Sequence, residues 1–307
     1  MRVVFFGTPY PAAVALDVLL DSRHEVAAAV TQPDRPRGRS GTPVPPPVKE
    51  RALAAGLPIL QPEGPRDPGF AESLASYDPE VCTVVAYGHI LPPDVLAVPT
   101  RGFVNVHFSL LPRYRGAAPV QRAVMAGETE TGVTTFLLEP TLDTGPILMM
   151  AREPIVPHDT AGTLMQRLAV AGGRLLGETL DGLANATLRP QSQDARSATP
   201  APKVRPEDGA IDWSASAAQI VNLVRGLNPA PGAYTTFRGK RLKVWRAAIV
   251  PGAAAPGEIV ELGKDRFRVG ARDGVVELLE VQLEGSKRLE ADTFMRGHHP
   301  KPGEILG

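Results

Sequence analysis

The feature that most constrains this chain is its first 155 residues, where short apolar runs alternate with helix-period segments. The runs cover residues 2–6, 25–30, 57–60, 80–86 and 102–106, then 132–138 and 147–155. Helical patterns fill 11–20, 49–55, 68–76 and 117–126. Pro11 stands early in the first, and Gly56 and Gly127 follow two of the others. Strands that are apolar on both faces need cover on both faces. The alternation therefore predicts an α/β fold, a doubly wound, mostly parallel sheet with helices on each side. A long helix is expected over 160–183, with Asp159 or Thr160 as its N-cap. Gly162, Gly172, Gly173 and Gly177 lie inside it, cost helix propensity and mark close packing.

From 189 to 207 the character changes. Pro190, Pro200, Pro202 and Pro206 are spaced by Ser, Gln and Asp, a linker composition. Beyond it come one helix, near 215–225, and short runs at 233–237, 241–249, 257–262, 266–270 and 275–281 with glycine turns. Such a pattern predicts a small β-barrel. The expected division is a first domain over 1–189, a linker over 190–207 and a second domain over 208–307.

Charge excludes a generally basic nucleic-acid binder, because 33 basic residues meet 33 acidic ones. Its distribution is less even. No acid occurs between Trp213 and Gly257, where Arg225, Arg238, Lys240, Arg241, Lys243 and Arg246 stand. None occurs between Asp94 and Glu128, where Arg101, Arg113, Arg115 and Arg122 stand. Arg35, Arg37 and Arg39 form a third cluster beside Asp34. Local positive fields of this kind suit an anionic partner, and solvated basic faces are the open alternative. The lone Cys82 fits a reducing compartment. The apolar run at the start is of strand length, shorter than a signal peptide requires. No run approaches the ~20 residues that span a bilayer. A soluble cytoplasmic protein without membrane contact is expected, and the lack of a coiled-coil pattern leads us to expect a monomer. The six histidines show no zinc-ligand spacing, so no metal is expected.

Gly7-Thr8-Pro9 follows the first strand, where open α/β sheets bind ligands, but G-x-G-x-x-G is absent and a dinucleotide is not expected. Asn105 and His107 flank Val106 at a strand end. Residues two apart on a strand point the same way, so both side chains can reach one atom. An amide donor and an imidazole on one carbonyl oxygen would make an oxyanion hole for acyl transfer. Asp143, in Leu142-Asp143-Thr144-Gly145-Pro146, could hold the imidazole protonated or take a proton through water. Spacing alone leaves two plainer readings open, a polar strand terminus and a turn Asp that caps its own backbone.

The motifs in combination go further. Asn105-Val-His-Phe-Ser-Leu-Leu-Pro112, Tyr114-Arg-Gly-Ala-Ala-Pro119, Thr131-Gly-Val-Thr134 and Leu142-Asp-Thr-Gly145 closely resemble the folate-dependent formyltransferases. The resemblance implies a Rossmann-like catalytic domain and a catalytic trio of Asn105, His107 and Asp143. It implies 10-formyltetrahydrofolate as formyl donor, with Tyr87, Gly88, His89, Ile90 and Leu91 forming the pterin loop and Ser109, Leu110, Leu111 and Pro112 also binding the co-substrate. Thr31-Gln-Pro-Asp-Arg-Pro36, Asp208-Gly-Ala-Ile-Asp-Trp213, Arg225-Gly-Leu-Asn-Pro-Ala-Pro-Gly232 and Gly285-Ser-Lys-Arg-Leu289 extend it over the whole chain. They are similar to the branch that formylates methionine on charged initiator tRNA. That similarity implies a C-terminal OB-type barrel holding the tRNA, with Arg35, Arg37, Arg39, Arg238, Lys240, Arg241 and Lys243 facing phosphates. Three positions depart from the family pattern. Ser40-Gly41 stands where adjacent lysines are common, Tyr10-Pro11 where Asp-Phe is common, and Thr141 where Gly is common.

Overall fold

The computed structural model describes residues 1–36, 41–260 and 266–307. Arg37 and Arg39 therefore lie outside the described residues. Two compact units emerge. The first comprises Met1–Gly116, Glu130–Pro154 and Met165–Ala201; the second comprises Ala117–Thr129, Ile155–Leu164 and Pro202–Gly307.

The first unit is built on a seven-stranded sheet. Its strands are β1 (Arg2–Gly7), β2 (Glu25–Val30), β5 (Ile59–Leu60), β6 (Val81–Val85), β7 (Phe103–His107), β8 (Glu130–Leu137) and β9 (Ile147–Pro154), in the order β5-β2-β1-β6-β7-β8-β9. A two-stranded pair, β3 (Arg35–Pro36) with β4 (Pro43–Val44), stands apart from it. The five strands from β5 to β7 are parallel, while β8 is antiparallel to β7 and β9 antiparallel to β8. The expected sheet is thus right in class and extended at one edge by a hairpin. The chain order reverses at β1, so the carboxyl ends of β1 and β6 open a crevice there.

Burial explains the apolar runs. Val3, Val4, Phe5 and Phe6 of β1 are fully buried. Helix α1 (Tyr10–Leu20) starts with a proline in its first turn, and α2 (Pro47–Ala54), α3 (Phe70–Ala75) and α4 (Pro93–Leu96) complete the connections. The Phe6 ring meets Phe70, Tyr87 and Phe103 edge-on at 6.3, 5.4 and 5.3 Å. This aromatic cluster buries Tyr87 in the core and so fixes where the chain leaves β6.

In the second unit, α5 (Pro119–Met125), α7 (Ala217–Gly226) and α8 (Ala291–His298) accompany a six-stranded antiparallel sheet. Its strands are β10 (Ala233–Phe237), β11 (Lys240–Val250), β12 (Ile259–Val260), β13 (Phe267–Ala271), β14 (Gly274–Leu283) and β15 (Leu289–Glu290). The path is β10-β11-β14-β13-β12, with β15 on β14. Ser216 and Gln219 close a reciprocal capping box that starts α7. Phe294 of α8 stacks on Phe267 and meets Phe237 edge-on, both at 5.5 Å. The sequence pattern gave no sign of α8, whose last residue, His298, stacks on Phe294 at 4.4 Å.

Helix α6 (Ala161–Ala184) has its first four residues grouped with the second unit and the rest with the first. Within the first unit it presses on β7. A Cβ at Gly172 would fall 2.9 Å from Val106 and 3.3 Å from Phe108. Val106 therefore faces α6. By strand alternation, its neighbours Asn105 and His107 face the opposite side.

Candidate active site

His107 and Asp143 come together from a strand end and a distant loop. The His107 Nδ1 lies 3.7 Å from Asp143 Oδ2, and both side chains are more than nine-tenths buried. The His107 Nε2 sits 2.8 Å from the Tyr114 carbonyl, to which it can only donate. That leaves the Nδ1 edge for a substrate and for Asp143. An imidazolium, with N–H on both nitrogens, would meet both acceptors. Asn105 is half-buried on the same strand, opposite Val84 on β6 and Phe136 on β8. Its carboxamide has no hydrogen-bond partner among the described residues, so its donors remain available.

Asp143 is held in an unusual backbone state. Its φ of 53° lies in the left-handed region, which costs a non-glycine residue on the order of 1 kcal/mol and needs support. Three contacts supply it. The Gly116 amide donates to Asp143 Oδ2 at 2.8 Å. The Gln193 amide donates to the carbonyls of Asp143 at 2.9 Å and Gly145 at 2.7 Å. The plainer reading of Asp143, a turn carboxylate capping its own backbone, does not describe this geometry, because its carboxylate accepts from Gly116, 27 residues away.

The segment after β7 is equally tied down. Buried Ser109 donates to the Arg113 carbonyl at 2.6 Å, closing the turn. Thr134 donates to the Ser109 carbonyl at 2.7 Å and accepts from the Leu111 amide at 3.1 Å. Leu111 is buried, Leu110 and Pro112 half-buried. The Ser109 hydroxyl is thus a turn fastener, its proton given to a backbone carbonyl.

Residues 86–91 leave β6 at the end where it runs parallel beside β7, Val85 pairing with Val106. Ala86 and Gly88 both have left-handed backbones, with φ of 48° and 88°. The Tyr87 carbonyl accepts from Gln32 Nε2 at 2.9 Å and from Thr8 Oγ1 at 3.2 Å. The φ at Gly88 favours glycine, and a Cβ there would also displace the Gln32 amide, 2.7 Å away, from the Tyr87 carbonyl. Burial, with a smaller effect of the Asp67 charge, pushes the Tyr87 phenol up to about 12. Tyr87 Oη and His89 Nε2 are buried without a hydrogen-bond partner among the described residues. Orphaned polar atoms beside a shaped backbone fit a polar heterocyclic ligand. Ile90 is 71% exposed and Leu91 is buried. No group of three or more metal-capable side chains occurs among the described residues.

The basic residues divide between the two units. Arg35 is exposed in the first unit. The other four belong to the second unit. Arg238 is engaged by its own fold: it pairs with Glu304 at 2.7 Å, donates to the carbonyls of His298 and His299, and lies over Phe237. Lys243 donates to the Pro231 carbonyl at 2.7 Å and lies over Trp245. Lys240 and Arg241 are exposed, Arg241 over the Tyr234 ring. Arg288, read in the sequence only as part of the Gly285–Leu289 motif, covers Trp245 at 3.5 Å. Arg115 was read only as one of a basic window and of a motif, and Gln193 was missed. Gln193 falls in a stretch whose composition signals only a linker.

Comparison with known proteins shows the family to which the chain is similar. A formyl transferase family model matches residues 1–180, and a model of the formyl transferase C-terminal domain matches 203–299. Methionyl-tRNA formyltransferase of Streptomyces coelicolor is 49% identical, aligned over the full length of both chains. That of Moorella thermoacetica is 48% identical over all of this chain and 99% of its own. Among solved structures, HypX from Aquifex aeolicus with tetrahydrofolic acid matches 96% of this chain and 47% of its own at TM-score 0.68 and 18% identity. An N-formyltransferase from Helicobacter canadensis matches 91% and 98% at TM-score 0.69 and 16% identity, a likeness of fold.

Proposed function

The chain belongs to the formyl transferase family, and from that premise we propose that it transfers a formyl group from 10-formyltetrahydrofolate to the α-amine of methionine esterified to initiator tRNA. The observation that carries the chemistry is the buried His107–Asp143 pair beside the unpartnered Asn105 carboxamide. Full-length identity with named methionyl-tRNA formyltransferases supports the acceptor.

Bound 10-formyltetrahydrofolate supplies an electrophilic formyl carbon; residues 86–91 and the 109–112 turn are where we place it. Asn105 directs an amide donor at the oxygen where charge develops, and His107 directs its Nδ1–H at the same atom. Two aimed donors are the oxyanion-hole arrangement, which works because the dipoles are set before charge appears. His107 is kept in this orientation by the Tyr114 carbonyl on its other nitrogen. Asp143 holds one carboxylate oxygen on the Gly116 amide. Its second oxygen, directly or through a water, receives the proton that the amine loses on attack and helps return one to the departing nitrogen. We assign the tRNA to Arg35, Arg37 and Arg39 of the first part of the chain and to Arg238, Lys240, Arg241 and Lys243 of an OB-type C-terminal barrel. The register shifts in β11 between Val244 and Ala247 supply the bend that such curling needs.

The test compares formyl transfer to charged initiator methionyl-tRNA with transfer to an amino-sugar nucleotide from the same donor. The proposal requires product with the tRNA. Formylation of the sugar alone, or release of formate without transfer, would sink it.

A further inference from the structure

Resting on that reading, we infer that Gln193, from the proline-rich stretch after the first unit's last helix, is a positioning residue that acts through Asp143, and that Arg115 fixes the orientation of its amide. Every polar atom of the Gln193 side chain is used. Its Nε2 donates to the carbonyls of Asp143 and Gly145, at 2.9 and 2.7 Å. Its Oε1 accepts two hydrogen bonds from Arg115, from Nε at 3.1 Å and Nη2 at 2.6 Å. Arg115 can only donate, so the oxygen must face it and the NH2 must face the Asp143 loop.

The backbone continues the same connection. Arg115 is strapped to the same stretch, its amide donating to the Thr199 carbonyl at 2.8 Å and its carbonyl accepting from the Ala201 amide at 2.6 Å. The next amide, Gly116, donates to the Asp143 carboxylate at 2.8 Å. Asp143 is thus gripped at its carbonyl by Gln193 and at its carboxylate by Gly116, and both grips run back to residues 193–201. Among the described residues, its left-handed φ of 53° is otherwise braced only by the exposed Thr141–Thr144 contacts, in which the Thr144 hydroxyl donates to the Thr141 carbonyl at 3.3 Å. Without the Gln193 amide, two loop carbonyls lose their donor, and the peptide carrying Asp143 is free to relax to an ordinary φ. The carboxylate would then leave its place beside His107.

The test uses the full chain with Gln193→Ala and Gln193→Glu. In Gln193→Ala, kcat for formyl transfer should fall on the order of tenfold to hundredfold, as small misplacements of a reacting group do, while KM for both substrates stays within about threefold. The pH–rate profile should shift as well as drop, because the carboxylate beside His107 has moved. The Gly116 amide should exchange with solvent about tenfold faster or more, since its acceptor is displaced. Gln193→Glu, with an ionised acceptor where a double donor is needed, should behave like the alanine variant. An unchanged Gly116 exchange rate, kcat within about twofold of the parent, or wild-type behaviour of Gln193→Glu would each overturn the inference. The parent enzyme separates the two claims. If it fails to formylate methionyl-tRNA, the functional reading falls, and the exchange measurement still decides the positioning claim.

Discussion

Asn105 and His107 differ in how firmly they are held. His107 is clamped by the Tyr114 carbonyl and faces Asp143, whereas the Asn105 carboxamide has no partner among the described residues. An unpartnered carboxamide on a strand packed against α6 gives up no protein hydrogen bond when it meets a substrate oxygen. Asn105→Ala should therefore lower kcat by about 10²–10³ with little change in folate affinity, read by steady-state kinetics and equilibrium binding. Near-normal turnover would remove Asn105 from the oxyanion site. Gly116 makes a second point at this scale. Its φ is 124°, and a Cβ there would fall 2.7 Å from the Ala201 carbonyl oxygen. Gly116→Ala must push the chain away from residues 199–201 and withdraw the amide that Asp143 accepts. Turnover should drop at least about tenfold and melting should fall by several degrees. Gly56→Ala makes the contrasting control. Its φ is also positive, 70°, but the space around it is open. That change should cost about 1 kcal/mol of stability and leave turnover untouched.

At the scale of elements, what the sequence revealed follows from which residues carry periodicity. β1, β6 and β7 were legible because both of their faces are buried, so the apolar residues run without a break. The strand bearing Asn105 and His107 could be placed for the same reason. Orientation was not legible: nothing in the apolar run of β8 distinguishes an antiparallel strand from one more parallel one. Helix α8 escaped because only Ala291 and Phe294 of its eight residues are buried, too few to show a period. The residues that hold Asp143 were illegible for a different reason. Gln193, Arg115 and Gly116 act through hydrogen bonds across long stretches of chain, which leave no local pattern. Glu277 on β14 is another such case. It is buried, yet Arg266 and Arg268 donate to it at 2.7 and 2.9 Å. Burial pushes this carboxyl up, but the two arginine hydrogen bonds outweigh it and hold the group below its ordinary value. A carboxyl lowered in the folded state stabilises the fold above its unfolded value, and that contribution is lost as pH falls through the folded one. Glu277→Gln should cost about 2 kcal/mol at neutral pH, less than a fully buried pair because Arg266 is half-exposed. The melting temperature of the parent should fall more steeply than that of the variant as pH drops below about 5. Parallel curves would mean that the ion pair contributes nothing.

For the molecule as a whole, net charge is zero, so no general attraction draws it to a polyanion. Affinity for tRNA must rest on segregated charge, and the structure divides the basic residues into two kinds. Arg238 is neutralised by Glu304 and bonded to the carbonyls of His298 and His299, so it fastens the C-terminal tail to β10. Lys243 is likewise spent in part on the Pro231 carbonyl. Lys240 and Arg241 are exposed at the start of β11, and Arg241 is already flattened against Tyr234, which lowers the entropy lost on gripping a phosphate. Each phosphate neutralised releases counterions, so the logarithm of affinity falls with that of salt in proportion to the contacts made. Binding of charged initiator tRNA should therefore weaken steeply between about 50 and 200 mM salt. Lys240→Ala and Arg241→Ala should each reduce that slope by about one while leaving the melting temperature unchanged. Arg238→Ala should do the reverse, lowering the melting temperature and changing the slope little. Equal slope changes at all three positions would show that Arg238 leaves Glu304 for the tRNA. A slope insensitive to Lys240 and Arg241 would place the tRNA on another face of the second unit.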